Sequence, residues 1–278
     1  MTLGMAGYVL NDTSIKLAAE DVPLFQAVFI RGCIVTVILA MATAARGELP
    51  MLVSRLNRPM IIRFAMETIG TVFFLLALTN LPLAGITAVL QIVPIAVTFA
   101  AARLLREPVS IHRVGAVVVG FLGVLVILRP WSEAFSPWFL AGLVAVVLVV
   151  IRELATRDIP SDVPSLVIAL GTAISITTMG GVVSLFQGWG AVDGREVSIL
   201  GLAGLFLTVG YMASIITVRT GDLSFSAPFR YTVMIFAILL QIIVFNEVPD
   251  AATFLGSAIV VGAGLYAFTR ERMQPVPR

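Results

Sequence analysis

Several charged residues lie within hydrophobic segments of this sequence, and the first of them is Asp12. A charge within hydrocarbon costs about 2.5 to 3.5 kcal/mol on insertion scales, so each one is a candidate for a functional role. Lys16 follows Asp12 by one helical turn, and Tyr8 and Asn11 share the same face. This group suits either a structural ion pair between Asp12 and Lys16 or a binding site for an amphipathic molecule or a coupling ion.

A second carboxylate in an apolar run, Glu67, follows Arg63 by one turn, and Thr71 and Phe74 continue the same stripe. A carboxylate held away from water can take up and release a proton, because desolvation favours its neutral form. The alternative is a structural pair between Arg63 and Glu67 near the end of the segment. The spacing leaves both interpretations open.

The second half of the chain carries Arg230 about seven residues into an apolar segment, directly before Tyr231. An arginine at this depth can bind a carboxylate through two parallel hydrogen bonds, or it can pair internally with Asp12 or Glu67. Tyr211 lies on a polar stripe of the preceding segment. The second half thus contributes a cation and two aromatic side chains that could belong to the same binding site.

Two further segments carry polar groups. Gln91 lies on a polar stripe and is followed by Pro94, which removes one backbone hydrogen bond. A kink beside a cavity is expected there, unless the proline serves packing alone. Arg152 and Glu153 lie near the end of the sixth segment, where a pair extending to the membrane surface accounts for both.

Membrane-spanning helices must position these side chains. Hydrophobic residues make up 59% and charged residues 12% of the 278 positions, which excludes a soluble globular surface. Ten spans leave roughly 28 residues each, enough for a helix of about 20 residues and a short turn. The predicted fold is all-α, with ten transmembrane helices. The predicted segments are Leu3–Ala19, Leu24–Ala44, Met60–Thr79, Leu83–Leu104, Arg113–Leu128, Trp138–Ala155, Pro164–Phe186, Ser198–Val218, Leu223–Phe245 and Ala251–Phe268.

The second half of the sequence repeats the first at an offset of 141 residues. Matched pairs are Asp12 and Glu153, Lys16 and Arg157, Pro23 and Pro164, Gly115 and Gly256, and Gly123 and Gly264. An odd number of segments, five per half, reverses the direction in which the second copy enters the bilayer. We therefore predict two inverted five-helix repeats, residues 1–136 and 137–278, an arrangement typical of secondary transporters.

Arginine placement predicts the orientation, because cytoplasmic loops retain positive charge. With the N-terminus inside, twelve arginines lie on the cytoplasmic side and only Arg129 and Arg195 lie outside. Both termini are therefore expected in the cytoplasm, with the chain in the inner (plasma) membrane. The net charge of +2 then reflects topology, and nucleic acid is not an expected partner.

Metal and disulfide chemistry find no support in the sequence. The one cysteine, Cys33, lies in an apolar run, and the one histidine, His112, lies beside a basic loop. We expect no metal and no cofactor. Glycines of the fifth and tenth segments permit close helix packing, which suits a scaffold or a homodimer face.

Motifs in both halves resemble those of a known family. They are Ala227-Pro228-Phe229-Arg230-Tyr231, Asn246-Glu247-Val248-Pro249-Asp250, Gly256 with Gly262 and Gly264, and Arg270-Glu271-Arg272, with fainter counterparts at Gln91 to Pro94, Arg106-Glu107-Pro108 and Gly115 to Gly123. Over essentially its whole length the chain resembles the drug/metabolite transporter superfamily, in its EamA-domain branch of ten-span carriers. The resemblance implies a central cavity walled by spans one to four and six to nine, with spans five and ten peripheral.

The opening stretch is also similar to branch members that move S-adenosylmethionine or amino acids; the residues concerned are Asp12, Lys16, Gln26, Phe29 and Arg31. We therefore expect a secondary active or facilitative transporter of a small amphipathic metabolite, such as an amino acid or S-adenosylmethionine. Multidrug or toxic-compound export is the alternative. The residues predicted to bind substrate are Tyr8, Asn11, Asp12, Phe74, Gln91, Tyr211, Arg230 and Tyr231, and those predicted to couple to an ion are Glu67 and Asp12.

Two other classes of membrane protein fit less well. A non-transporting receptor does not need charges buried in both halves of the chain. An intramembrane enzyme needs catalytic groups at depth, and the predicted spans contain no histidine, no zinc-ligand motif and no suitable pair of aspartates. The chain is therefore not expected to be an enzyme.

Overall fold

The computed structural model describes residues 1–104, 111–129, 136–220 and 227–273. These ranges form α-helices joined by short connections, and no β-strand occurs within them. The helices are α1 (Thr2–Ala18), α2 (Leu24–Ala45), α3 (Met51–Ser54), α4 (Arg58–Asn80), α5 (Leu83–Leu90), α6 (Val93–Leu104), α7 (Ile111–Leu128), α8 (Trp138–Arg157), α9 (Ser165–Gln187), α10 (Gly194–Thr220), α11 (Thr232–Phe245) and α12 (Ala251–Met273). A 3₁₀ helix, Ala227–Tyr231, leads directly into α11.

Each predicted apolar segment coincides with a helix, but the fourth is divided between α5 and α6. Pro94 has no amide hydrogen to donate to the carbonyl of Leu90. The amides of Gln91 and Ile92 instead donate to carbonyls three residues earlier, at 3.1 and 3.3 Å. The break expected at this proline is therefore present.

One observed helix was not predicted, and the ninth predicted segment is described only from residue 227. The short helix α3 lies between the second and third predicted segments and was not expected. The ninth segment begins, as far as it is described, with the 3₁₀ helix that contains Pro228. Its predicted first residue, Leu223, lies outside the described ranges.

Five helices in the described ranges are long and apolar enough to cross a membrane; they are Leu24–Ala45, Arg58–Asn80, Trp138–Arg157, Ser165–Gln187 and Gly194–Ala213. Shorter apolar helices are Leu83–Val97, Val114–Leu128, Phe229–Phe245 and Ala251–Tyr266. α1, which carries Asn11, Asp12 and Lys16, belongs to neither group. Large apolar side chains such as Ile235 and Leu140 are exposed on the outside of the bundle, as a lipid-facing surface requires. The chain is a helical membrane protein.

The most extensive helix contacts pair α2 with α9, α4 with α8, α1 with α10 and α7 with α12. Each pair joins a helix from the first half of the chain to one from the second. α5 and α11 also meet, because Oε1 of the buried Gln241 accepts the amide of Ala84 at 2.6 Å. One apolar core therefore contains residues of both halves.

Glycines bring α7 and α12 into direct backbone contact. A Cβ on Gly123 would lie 2.9 Å from the carbonyl oxygen of Gly256, and a Cβ on Gly256 would lie 2.6 Å from that of Gly123. Gly264 faces the hydroxyl of Tyr231. Four glycines of the predicted scaffold or dimer face, Gly120, Gly123, Gly256 and Gly264, thus have neighbours within the chain, whereas Gly115 and Gly262 have none within 4 Å.

An ion pair between Arg129 and Asp250 joins the end of α7 to the start of α12. The other carboxylate oxygen of Asp250 caps α12 by accepting the amide of Thr253 at 2.8 Å. Partial burial opposes ionisation of Asp250, but the hydrogen bonds from Thr253 and Arg129 outweigh it and hold the pKa of this carboxyl below its usual value.

Candidate functional site

Two tyrosines from opposite halves of the chain meet between α1 and α10. The ring centroids of Tyr8 and Tyr211 are 5.8 Å apart and their planes make an angle of 80°, an edge-to-face contact. The helices approach closely because Gly7 has no side chain: a Cβ there would lie 2.7 Å from the carbonyl oxygen of Phe206 and 2.9 Å from the amide nitrogen of Gly210. The structure therefore brings together two of the residues predicted to line a site.

One turn along α1 from Tyr8, Asn11 connects two oppositely charged side chains. Its amide nitrogen donates to Oδ1 of Asp12 at 3.0 Å, and its Oδ1 accepts from Nη1 of Arg31 on α2 at 3.0 Å. No direct salt bridge between Arg31 and Asp12 occurs among the described residues. Asn11 therefore separates a cation from an anion while binding both.

The environment of Arg31 is unusual for a guanidinium, because only 5% of the residue is exposed. Its buried Nε has no hydrogen-bond partner in the described part of the chain. Tyr211 and Asp12 are close enough to interact with it electrostatically. Sequence reasoning placed Arg31 in a span but gave it no role at the site, although the high cost of charge at depth was the signal that could have identified it.

A second charged cluster lies between α4 and α8. Nη1 of Arg152 donates to Oε2 of Glu67 at 2.5 Å, and Nη2 donates to the carboxylate of Glu153. The expected pair of Arg152 with Glu153 is present, but it also extends across the helix interface to Glu67. The alternative pairing of Glu67 with Arg63 is wrong, because Arg63 donates to Thr156 of α8. Close packing of α4 on α8 provides interhelical partners for both residues.

Tyr211 interacts electrostatically with members of both clusters. Charged and polar groups within electrostatic range of its hydroxyl are Glu67, Tyr8, Arg152 and Arg31. The clusters therefore form one polar region, built by α1, α2 and α4 of the first half and by α8 and α10 of the second. We call it the central network; it comprises Tyr8, Asn11, Asp12, Arg31, Glu67, Arg152, Glu153 and Tyr211.

Lys16 does not join the central network. Its ammonium group donates to the carbonyl oxygen of Leu81 and lies 5.4 Å from the centroid of the Phe245 ring. The structural ion pair between Asp12 and Lys16, one of the two alternatives that the sequence left open, is therefore absent from the described structure. Leu81 follows the last turn of α4, where backbone carbonyls lack helical partners, so it attracts the ammonium group. Lys16 thus links α1 to the junction of α4 with α5 and to α11.

Two predicted site residues of the first half, Phe74 and Gln91, have different surroundings. Phe74 packs against the apolar core. Gln91 is 7% exposed at the break between α5 and α6, and its Nε2 has no hydrogen-bond partner among the described residues. A buried amide without a partner is costly, so Gln91 keeps its place as a candidate ligand group.

The two predicted residues of the 3₁₀ helix face different neighbours. Arg230 is partly exposed and interacts electrostatically with Glu153. Within the described ranges it forms no salt bridge with Asp12 or Glu67, so that predicted internal pairing is absent. Tyr231 is buried and packs against Gly264 of α12.

Comparison with known proteins shows which family the chain resembles. The model of the EamA-like transporter family matches residues 1–129. The matched stretch is just under half of the chain, and it resembles an EamA-like transporter domain. This domain contains five residues of the central network: Tyr8, Asn11, Asp12, Arg31 and Glu67.

Curated relatives match most of the chain. An S-adenosylmethionine uptake transporter of Rickettsia prowazekii is 24% identical over 95% of this chain and 89% of its own length. A riboflavin transporter of Brucella anthropi is 24% identical over 76% of both chains. A pseudopaline exporter of Pseudomonas aeruginosa is 26% identical over 90% of this chain and 87% of its own length. The resemblance to carriers of the drug/metabolite transporter superfamily is confirmed.

A solved crystal structure shares the fold of the whole chain. It superposes with a TM-score of 0.69 at 20% identity and covers 98% of both chains. The match to the EamA-like transporter family and the transporter relatives support the prediction that the chain is a transporter and not an enzyme. Within the described residues, no group of three or more histidine, cysteine, aspartate or glutamate side chains is suited to hold a metal ion.

Proposed function

We propose that this chain is a secondary active or facilitative transporter that carries a small amphipathic metabolite bearing a carboxylate across the cytoplasmic membrane. An amino acid or a derivative such as S-adenosylmethionine fits this description. The central network carries the proposal, because it combines buried opposite charges with two tyrosines from opposite halves of the chain. Such a site can bind both the polar and the apolar parts of a metabolite. The names of the S-adenosylmethionine uptake relatives support the same class.

We further propose ten spans in two inverted repeats, residues 1–136 and 137–278. The pairing of the helices supports this proposal. A shift of 141 residues places α1 on α8 and α4 on α10, so the pair α1–α10 corresponds to the pair α8–α4. The same shift places α2 on α9 and α7 on α12, and each of these helices pairs with its own counterpart. The hydroxyls of Thr36 and Thr177, which are 141 residues apart, share a hydrogen bond of 3.1 Å. A contact between equivalent residues is expected where a pseudo-two-fold axis passes between repeats.

The arginine distribution supports placement in the inner membrane with both termini in the cytoplasm. Single cysteines at Ser161 and Gln187, exposed near opposite ends of α9, test this orientation after Cys33 is replaced by alanine. We expect Ser161→Cys to react with an impermeant maleimide only from the cytoplasmic side and Gln187→Cys only from outside. Labelling of both from one side contradicts the topology.

Glu67 and Asp12 are the proposed ion-coupling residues. Their different hydrogen-bond partners suggest different roles in proton coupling. Protonation of Glu67 breaks its ion pair with Arg152, so it can couple proton uptake to movement of α8 relative to α4. Asp12 accepts its hydrogen bond from a neutral amide, so it can accept a proton without breaking a salt bridge among the described residues. Uptake measured against pH for Asp12→Asn and Glu67→Gln distinguishes the two roles.

Arg230 keeps its proposed role as a substrate-binding residue, and Phe74, Gln91 and Tyr231 keep theirs as lining residues. The partial exposure of Arg230 and its lack of a salt bridge in the described structure are compatible with that role. A homodimer remains a proposal as well, and the open face of Gly115 is where α7 can accept a neighbouring helix.

Multidrug or toxic-compound export is the second candidate function. The relative named as a pseudopaline exporter favours an outward direction, whereas the relatives named as S-adenosylmethionine uptake transporters favour the inward direction. Transport in oriented proteoliposomes decides both substrate and direction. We expect saturable flux of a carboxylate-bearing metabolite from a pooled panel; flux of hydrophobic cations alone would assign the chain to multidrug export.

A further inference from the structure

We propose that Arg31 binds the carboxylate of a zwitterionic substrate, and that Asn11 keeps Arg31 available by holding it apart from Asp12. This inference rests on the proposed transport function and names both the substrate class and the binding group. The substrate carries an ammonium group near its carboxylate, as in the α-amino acid moiety. Its carboxylate binds Arg31 and its ammonium group binds Asp12.

The first observation is the unused hydrogen-bonding capacity of Arg31. A guanidinium has five N–H donors, and burial away from water leaves them dependent on nearby acceptors. In the described structure, Nη1 donates to Asn11 and the buried Nε donates to no acceptor. A planar carboxylate supplies two acceptors in the geometry that a guanidinium fits. A carboxylate ligand would therefore supply the hydrogen-bond acceptors that Arg31 lacks.

The second observation is the separation of the two charges by a neutral side chain. Asn11 presents its oxygen to Arg31 and its nitrogen to Asp12, each at 3.0 Å. A carboxylate at position 11 would accept from Arg31 and neutralise it, and an apolar residue would satisfy neither charge. Asparagine meets both demands and keeps the positive and the negative group from pairing directly, so a zwitterion can pair with both.

The third observation concerns the neighbours and the repeat. Tyr211 interacts electrostatically with Arg31 and contacts Tyr8, so an aromatic surface adjoins the charged groups and suits the apolar part of an amphipathic molecule. The position 141 residues after Arg31 is Thr172, a buried threonine whose hydroxyl donates to the carbonyl of Ile168 at 2.9 Å. The guanidinium thus has no counterpart in the second repeat, and the two repeats present different chemistry to the ligand.

Arg31 is better suited to this role than Arg230. Arg230 is partly exposed and lies near Glu153, which already provides it with an opposite charge. Arg31 is buried, and an uncharged amide holds it in place. A substrate carboxylate gains more from a desolvated guanidinium than from one that water and another carboxylate can reach.

Matched ligand pairs that differ in the carboxylate test the inference. The probes are S-adenosylmethionine with decarboxylated S-adenosylmethionine, and methionine and phenylalanine with their carboxamides. Binding to purified protein is measured by ligand-induced thermal stabilisation, which increases with ligand concentration relative to the dissociation constant. Counterflow in proteoliposomes provides the second readout.

The variants are Arg31→Lys, Asn11→Asp and the control Arg157→Lys, an exposed arginine at the end of α8. We expect Arg31→Lys to weaken binding of the carboxylate member of the pair at least tenfold and binding of its partner less than threefold. Asn11→Asp should produce the same selective loss, because the new carboxylate pairs with Arg31. Arg157→Lys should leave both members unchanged. Asparagine and aspartate have nearly the same shape, so Asn11→Asp is expected to fold. It therefore tests whether Arg31 binds the substrate carboxylate even if Arg31→Lys does not fold.

Two results overturn the inference in distinguishable ways. If wild type binds carboxylate ligands and Asn11→Asp retains both their affinity and their preference over the carboxylate-free partners, Arg31 is not the carboxylate receptor although the transport proposal stands. If wild type neither binds nor exchanges any of the probes, the proposed function fails, and this inference fails with it.

Discussion

Replacing Gly7 by alanine tests whether the close approach of α1 and α10 positions the site. The new Cβ would lie 2.7 Å from the carbonyl oxygen of Phe206 and 2.9 Å from the amide nitrogen of Gly210. Both atoms belong to the α10 backbone, so the two helices must separate. Overpacking of this kind costs about 1 to 3 kcal/mol. Alanine recovers about 1 kcal/mol of helix propensity, which leaves a net loss of about 0 to 2 kcal/mol.

Gly201→Ala provides the matched control, since Gly201 also lies in α10 but has no neighbour within 4 Å of an added Cβ. It gains the propensity without the clash, so the two variants should differ by about 1 to 3 kcal/mol. Thermal unfolding in detergent measures this difference, at roughly 2 to 4 °C per kcal/mol. Gly7→Ala should also weaken substrate binding, because it moves Tyr8 away from Tyr211. Equal stability and equal affinity of the two variants would refute the reasoning.

Three further variants test separate contacts. Glu67→Gln loses its ion pair with α8 and should flatten the pH dependence of uptake; an unaltered profile with retained activity makes Glu67 a structural residue. Asp250→Asn keeps the cap of α12 but loses the charge that faces Arg129. Because the pKa of Asp250 is depressed by folding, its carboxylate stabilises the protein above its unfolded pKa of about 3.9, and this stability disappears as the pH falls through the folded value. The stability gap between wild type and Asp250→Asn should therefore shrink below about pH 4, and a gap that does not change with pH contradicts the assignment. Lys16→Met removes a charged hydrogen bond to Leu81 and should cost about 1.5 kcal/mol in thermal unfolding experiments, whereas unchanged stability shows that this contact does not hold the helices together.

The positions of the helices could be predicted from the sequence because they depend on local properties. Long apolar runs mark the helices, and charged or proline-containing stretches separate them. The break before Pro94 follows from the missing amide hydrogen of that residue alone. The short helix α3 could not be found in this way, because its four residues form no hydrophobic pattern of their own.

Candidate residues were found more readily than their partners. Polar faces of two separate helices identified Tyr8 and Asn11 on the first and Tyr211 on the other. The structure brings these residues together. The partner of Lys16 was mistaken because a backbone carbonyl of another helix lies within its reach. Sequence spacing describes one helix at a time, whereas these partners depend on how helices pack against each other.

Arg31 illustrates the remaining difficulty. Its burial follows from its place in an apolar run, but its significance depends on contact with Asn11 of another helix and on the absence of a direct salt bridge in the described structure. Neither property is visible along the sequence. Arg152 is similar, since its bond to Glu67 crosses 85 positions of the chain.

Counterflow of labelled S-adenosylmethionine and amino acids in proteoliposomes tests the central claim most directly, with wild type compared with Asp12→Asn and with Arg157→Lys. The account predicts saturable exchange of at least one carboxylate-bearing metabolite by wild type and by Arg157→Lys, and its loss in Asp12→Asn, because the central network binds the substrate. Exchange that Asp12→Asn leaves unchanged, or exchange limited to compounds without a carboxylate, would contradict it.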